Sequence, residues 1–177
     1  CRTFQNISLI RDQSVRDNLL IGLHLALNYR PWSAFFPGPR IRAREIEARQ
    51  RIEQVVDLLR LPRTILETRV DSLSLGQQKK IEVARAIVRQ PKLLLLDEPA
   101  GGLNDRETAD FASMLRDLQK ELRISVVLID HDMNLVMDLC SRISVLSFGR
   151  LIARGTPREI QGDPQVISVY LGAPDAA

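Results

Sequence analysis

Two cysteines in 177 residues, Cys1 and Cys140, form neither a disulfide framework nor a metal-ligand spacing. That scarcity excludes a disulfide-stapled secreted domain and suits a reducing compartment. No apolar run approaches the roughly 20 residues that a membrane span needs, and no signal peptide is legible. Excess charge is missing too. The pI lies near 9.2, yet 25 basic side chains against 22 acidic ones leave a net charge of only +3. That balance is too mild to mark a nucleic-acid binder. There are no internal repeats and no low-complexity tract. The composition is that of a soluble, cytoplasmic protein of one domain, or of one lobe and part of a second, long enough to bury a real core. The chain opens without Met on Cys1-Arg2-Thr3-Phe4, which reads as the tail of a strand, so an N-terminal portion is expected to precede it.

What is present centres on Ser72 to Pro99, SLSLGQQKKIEVARAIVRQPKLLLLDEP. Ser74 with Gln77 three residues later has the S-x-x-Q form of a capping box, which predicts a helix start. Gly76 falls in that first turn, where a small residue lets another group come close to exposed backbone N–H groups. Ile81, Ala84, Ile87 and Val88 recur at helical spacing and predict the buried face, with Glu82, Arg85 and Arg89 on other faces. Pro91 stops the helix, and Leu93 to Leu96 form an unbroken apolar run. Bounded by turn signals, such a run predicts a central parallel strand covered on both faces. Asp97 and Glu98 emerge at its carboxyl end, where open α/β sheets put their ligands. Taken singly, each half also reads as an ordinary helix start or an ordinary Leu-rich strand.

Before this stretch the pattern is helical. Ser14 as N-cap, with Asp17 at N3 and Leu19, Leu20, Leu23, Ala26 and Leu27 apolar, predicts a helix to about residue 28. Tyr29 to Pro39 carries three prolines and a glycine and must be a loop, aromatic through Trp32, Phe35 and Phe36. It either tucks onto its own domain or serves a partner. A long helix follows from about Arg42 to Arg60, its buried side marked by Ile46, Ile52, Val55, Val56 and Leu59, and Pro62 ends it. Arg40, Arg42, Arg44, Arg49 and Arg51 make either a solvated face or a contact with anionic headgroups or a membrane partner. A helical turn near Thr64–Glu67 leads into the Ser72–Pro99 stretch.

After Glu98 strands and helices alternate. Asn104 and Glu107 cap a helix whose core face is Phe111, Leu115, Leu118 and Leu122. Ser125 to Ile129 predicts a second buried parallel strand, ending at Asp130-His131-Asp132, and Asp132 caps a helix with Leu135, Val136 and Leu139. Ile143 to Phe148, a Gly149-Arg150 turn and Leu151 to Ala153 predict a hairpin. Thr156 with Pro157 at N1 starts a short helix, and a last one covers about 164–170. Three strand ends thus deliver polar groups: Gln5, Asp97 with Glu98, and His131. In a parallel sheet such ends lie side by side at one edge. His131 alone also reads as a partly buried, hydrogen-bonded histidine.

LSLGQ at 73–77 followed by LLLLDEP at 93–99 resembles the signature motif and Walker B strand of ATP-binding cassette (ABC) ATPases. Gln5 matches the Q-loop, Gly101-Gly102-Leu103-Asn104 the D-loop and His131 the switch histidine, so the likeness runs from the Q-loop to the C-terminus. The resemblance implies an α/β, P-loop NTPase-like fold with a mostly parallel sheet core and an inserted α-helical subdomain, its N-terminal portion absent. Residues 1–177 would be a partial ABC ATPase domain, with the helical subdomain and its signature helix at 6–90 and the C-terminal part of the catalytic core at 91–177. Asp97 would hold Mg²⁺, directly or through water, and Gln5 would sense that metal and the γ-phosphate of ATP. Glu98 would orient and polarise the attacking water. His131 would contact the γ-phosphate or bridge to Glu98. Ser74, Gly76, Gln77 and Asn104 would bind nucleotide, Ser74 and Gly76 by meeting the γ-phosphate held by a second ABC ATPase subunit in a head-to-tail homo- or heterodimer. The physics of the helix start supports this, because it offers free N–H groups and a positive dipole end to an arriving anion.

Within the family, Arg2-Thr3-Phe4-Gln5, the 29–60 segment, Gly102-Leu103-Asn104, His131-Asp132-Met133 and Tyr170-Leu171-Gly172 resemble the larger-insert ATPase of branched-chain amino acid importers. The partners this implies are two membrane permease subunits and, indirectly, a periplasmic or extracellular solute-binding protein, with the chain peripheral on the inner face of the cell membrane. Nucleic acid is not among them. The same pattern is shared in part by ATPases of urea import and lipopolysaccharide export. It also admits a non-transport ABC protein, or a binding module without a P-loop. Three departures stand out. Leu75 replaces the usual Gly of the signature, Asn104 the common D-loop Asp, and no G-x-x-x-x-G-K-[ST] occurs. These 177 residues alone are therefore expected to be inactive as an ATPase, with sheet faces and edges left uncovered.

Overall fold

Ser14 opens the first helix through local chemistry: its hydroxyl accepts the Asp17 amide at 3.1 Å and donates to the Asp17 carboxylate at 2.6 Å. The computed structural model describes residues 9–27 and 39–170, and it divides into two units, 1–130 and 131–177. Expectations for Cys1 to Gln5, for the side chains of Ala26, Leu27 and Arg40, for the Trp32, Phe35 and Phe36 loop, and for Tyr170-Leu171-Gly172 lie outside the described residues.

In the first unit, helix α1 (Val15–Leu27) packs against α2 (Pro39–Leu58) and α3 (Leu75–Ile87). Leu19 and Leu23 of α1, Ile52 and Val56 of α2, and Ile81 and Ala84 of α3 are buried. Burial of the Leu, Ile and Val side chains among them supplies about 1.5–3 kcal/mol each. α1 and α3 touch closely at Gly22, where a Cβ would stand 2.7 Å from the Arg85 carbonyl oxygen. Two 3₁₀ turns, Arg63–Glu67 and Val70–Ser72, join α2 to α3. The expected turn near Thr64–Glu67 is the first of these.

Two burial assignments change here. Ile46 is 57% exposed, not buried. The stripe that packs is Ala48, Ile52, Val55, Val56 and Leu59, and at 100° per residue Ile46 lies on the opposite side of it. Glu82 is buried rather than on an outer face, as are Lys79 and Val83. Little of the middle of α3 reaches solvent, so a helical wheel gives it no polar side. Half-buried Arg85 shows the consequence: burial lowers its guanidinium pKa from the ordinary value, and the charge of Glu82 opposes that shift.

Strands β1 (Leu93–Asp97) and β2 (Ser125–Ile129) pair in parallel, Leu93 opposite Ser125 through Asp97 opposite Ile129. The expected burial on both faces is not found. Leu94 and Leu96 are buried, but Leu93 is exposed, and so are Val127 (49%) and Ile129 (60%) of β2. Alternation along a strand sends successive side chains to opposite faces, and here one face is covered while the other meets solvent. Between the strands, α4 (Asp105–Leu122) buries Phe111, Leu115 and Leu118 as its pattern predicts, while Leu122, expected with them, is only half-buried. Arg123 ends α4 in the left-handed region, φ 49°.

The second unit holds α5 (Met133–Leu139), a hairpin of β3 (Ile143–Ser147) and β4 (Arg150–Gly155), and the short helices α6 (Pro157–Gln161) and α7 (Pro164–Tyr170), both packed on β4. The hairpin turn is Phe148-Gly149, not Gly149-Arg150. Both of its residues have positive φ, 47° and 77°, and Ser147 pairs with Arg150. Two left-handed residues match the twist of the flanking strands. Register shifts after Val145, which faces Ala153 while Leu146 faces Leu151, leaving Ile152 as a bulge.

Candidate functional site

The helix start at Ser74 forms as predicted. Ser74 Oγ accepts the Gln77 amide at 3.3 Å, and Gln77 Oε1 accepts the Ser74 amide at 3.1 Å. The first i→i−4 bond of α3 runs from Gln78 N to Ser74 O at 2.9 Å. Leu75 and Gly76 lie ahead of it, where a helix leaves its amides without intrahelical partners. The chain approaching this cap is held from the side. Val15 N donates to Thr68 O at 2.9 Å, Val70 N to Gln13 O at 3.1 Å and Asp71 N to Arg11 O at 3.0 Å. Fully buried Asn18 then clasps the same loop: its Oδ1 accepts Ile10 N at 2.8 Å, and its Nδ2 donates to the carbonyls of Ile10 and Ser14, each at 3.0 Å. Loop 9–14 and the approach to Ser74 are thus one hydrogen-bonded unit.

At the end of β1 the two acids emerge as predicted, both half-buried. Glu98 sits at φ 45°, a conformation a non-glycine residue holds only where the surroundings impose it. Its amide donates to Ile129 O at 2.7 Å, which extends the β1–β2 pairing by one bond, and its carbonyl accepts Gly101 N at 3.2 Å. The chain thereby turns sharply at Glu98 and reaches Asn104 within six residues. Asn104 Oδ1 accepts the Glu107 amide at 3.0 Å, and Glu107 Oε2 accepts the Asn104 amide at 3.1 Å.

These two segments meet. A Cβ on Gly102, itself at φ 82°, would stand 3.0 Å from Leu75 Cδ2, and one on Gly76 would stand 3.3 Å from Glu107 Oε1. Ser74, Gly76, Gln77 and Asn104 are therefore brought to one place, continuous in chain with Asp97 and Glu98. Gln5 lies outside the described residues. His131 opens the second unit and is exposed rather than partly buried, and Asp132 beside it caps α5 by accepting Asn134 N at 2.9 Å and Leu135 N at 3.1 Å. Sequence reasoning missed Asn18 and the reach of Glu107 to Gly76. The N-x-x-E spacing showed Glu107 as a cap, and no sequence signal showed what its other oxygen faces.

Among the described residues no group of three or more His, Cys, Asp and Glu is placed to hold a metal ion. Among them, too, no helix is long and apolar enough to cross a membrane.

Residues 2–101 match the family model described as ABC transporter, and residues 150–176 match that of the branched-chain amino acid ATP-binding cassette transporter. The chain is 37% identical over 171 residues to the high-affinity branched-chain amino acid transport ATP-binding protein BraF of Pseudomonas aeruginosa, covering 97% of this chain and 67% of BraF. LivG of Escherichia coli, a protein of the same description, gives the same figures. The lipopolysaccharide export system ATP-binding protein LptB of Acidithiobacillus ferridurans is 32% identical over 168 residues, 95% of this chain and 63% of that one. Among solved structures, the ADP conformation of MJ1267, an ATP-binding cassette of an ABC transporter, superposes with a TM-score of 0.77 at 27% identity, covering 97% of this chain and 68% of that one.

Proposed function

This chain belongs to the ABC transporter ATP-binding protein family, and we propose that it is the ATP-hydrolysing subunit of an importer of branched-chain amino acids. One observation carries the reading: the capped start of α3 and the turn that follows the two strand-end acids are packed together through Leu75–Gly102 and Gly76–Glu107. Such a junction can present a helix N-terminus to an anion on one side and carboxylates to water and metal on the other.

Glu98 orients and polarises the water that attacks the γ-phosphorus. Its positive φ aims the backbone away from the strand, so that its side chain need not follow the alternation of β1. Asp97, with Gln5, would hold Mg²⁺, an ion that few protein carboxylates suit because it keeps several waters. When bound, Mg²⁺ neutralises charge on the β- and γ-phosphates. His131 contacts the γ-phosphate or steadies Glu98. Ser74 and Gly76 reach the γ-phosphate of nucleotide on a second ATPase subunit, and Gln77 and Asn104 belong to the same nucleotide-binding set. The remaining partners are two permease subunits, with a solute-binding protein acting through them, and the chain sits peripherally at the inner face of the membrane. Residues 6–90 form the helical subdomain of the cassette and 91–177 belong to its catalytic core. The polypeptide of these 177 residues by itself is proposed to lack ATPase activity, since it contains no phosphate-cradling G-x-x-x-x-G-K-[ST].

A second reading, an ATPase of lipopolysaccharide export, is favoured by the 32% identity to LptB. Uptake of labelled leucine by vesicles carrying the assembled transporter separates the two. For the chemistry, Glu98→Gln in the intact protein should keep ATP binding and lose about 2–4 orders of magnitude in turnover. Turnover within about threefold of the parent would show that Glu98 is not the base.

A further inference from the structure

Sequence reasoning gives Glu107 one task, capping α4. The structure gives its carboxylate two neighbours. Oε2 accepts the Asn104 amide at 3.1 Å, while Oε1 lies where a methyl group on Gly76 would come within 3.3 Å of it. The Glu107 amide is itself tied to Asn104 Oδ1 at 3.0 Å, so the residue is held at backbone and side chain alike. Its carboxylate is hydrogen-bonded to the segment that follows the acids and lies beside the first turn of α3. Leu75 against Gly102 is a second contact between the same two segments.

We propose that Glu107 is a positioning residue for the signature, its carboxylate bridging from the Asn104 amide to Gly76 and setting how far the start of α3 stands from segment 101–104. On this account Gly76 is glycine to admit that carboxylate as well as a phosphate. The inference rests on the proposed function, in which Ser74 and Gly76 meet a phosphate held by a second subunit. Hydrogen bonds to a developing oxyanion work over a few tenths of an ångström around 2.9 Å. Removing the carboxylate leaves the Asn104 amide without its side-chain acceptor and opens a gap beside Gly76, so α3 is free to shift by that much. The loss falls on the step in which the signature meets the phosphate, and the affinity of the partner's cradle for ATP is untouched.

The test is steady-state ATPase kinetics on the intact protein assembled with its partner subunit, with thermal unfolding to count folded molecules. Glu107→Ala should lower kcat about five- to tenfold while KM for ATP stays within about twofold. Glu107→Gln, which keeps the shape and an acceptor for the Asn104 amide, should stay within about twofold of the parent. Gly76→Ala should lower kcat because its methyl displaces the carboxylate, and in the Glu107→Ala background its added effect should shrink at least about threefold. Independent, multiplicative losses in the double variant overturn the inference. So does a parent-like kcat for Glu107→Ala, or an equal loss in the Ala and Gln variants that tracks the folded fraction. In each of those cases the proposed function still stands if the parent hydrolyses ATP and Glu98→Gln does not. A parent without ATPase activity overturns the proposed function and this inference with it.

Discussion

Asn18→Ala isolates one small device, the clasp that fastens loop 9–14 to α1. Asn18 is fully buried and makes three hydrogen bonds of 2.8 to 3.0 Å with the backbone of Ile10 and Ser14. Each such bond contributes about 0.5–1.5 kcal/mol net, and a polar group left buried without a partner costs about 1–3 kcal/mol. Ile10 is exposed, so water can reach part of what the substitution uncovers. The expected destabilisation is therefore about 2–3 kcal/mol, read in urea as a lowered midpoint with an unchanged slope. Asn18→Asp sharpens the test. It keeps an acceptor for the Ile10 amide but turns a carboxylate oxygen toward two carbonyl oxygens, so at neutral pH it should destabilise at least as much as alanine. Protonation restores a donor, so the aspartate variant should regain part of the loss as pH falls through the carboxylate range. A loss under about 0.5 kcal/mol for Asn18→Ala, or parent-like stability for Asn18→Asp at pH 7, would refute the clasp.

Phe111→Ala, at a position only 1% exposed, should cost about 3–5 kcal/mol in urea unfolding, and a cost below about 1 kcal/mol would contradict its place in the core. Gly102→Ala should lose more than about 1 kcal/mol, because position 102 has φ 82° and its Cβ would stand 3.0 Å from Leu75 Cδ2. Adding Leu75→Ala should return only the steric part of that loss. Hydrogen bonds from the Thr156 amide and hydroxyl hold the Glu159 carboxyl below the usual carboxylate range. A depressed carboxylate contributes stability above its unfolded pKa, so the cap of α6 should be intact at neutral pH and weaken only as pH drops below about 4.3. Circular dichroism of Glu159→Gln against the parent across pH 6 to about 2 checks this, and a parent that loses helix between pH 7 and 5 contradicts it. Cysteines placed along residues 6–13 should cross-link to a permease loop with a yield that changes when ATP is added, whereas cross-links confined to 160–177 would move the docking surface elsewhere.

The helix starts were legible because a cap is local chemistry. Ser74 with Gln77 and Asn104 with Glu107 close as reciprocal caps, and Thr156 caps α6 as expected, with Glu159 as a reciprocal partner beyond that expectation. The positions of Asp97 and Glu98 followed from a short apolar run ending in acids. Burial was less legible, because it is decided by whatever packs from outside. Ile46 and Val127 are apolar and exposed, and Glu82 is charged and buried. The helical period of α2 already sets Ile46 apart from its apolar stripe, but nothing within their own elements shows that the face of Val127 is open or that the outer side of Glu82 is covered. The turn at Phe148 was missed because a bulky residue is a poor prior for positive φ. The meeting of Gly76 with Glu107 joins residues 31 positions apart and needs the fold itself.

The uneven burial of α2 has a consequence for how that helix behaves. Residues 42–47 are all exposed, whereas Ala48, Ile52, Val55 and Val56 are buried. A helix anchored along one half opens from the other, since opening there gives up almost no apolar contact. The turns formed by residues 42–47 can melt and re-form many times during the life of one folded molecule, while the turns around Ile52 wait for global unfolding. The same gradient makes the helix adjustable in evolution. A turn of about 5.4 Å added or deleted among residues 42–47 lengthens or shortens what the helix presents to its surroundings without asking any core residue to repack.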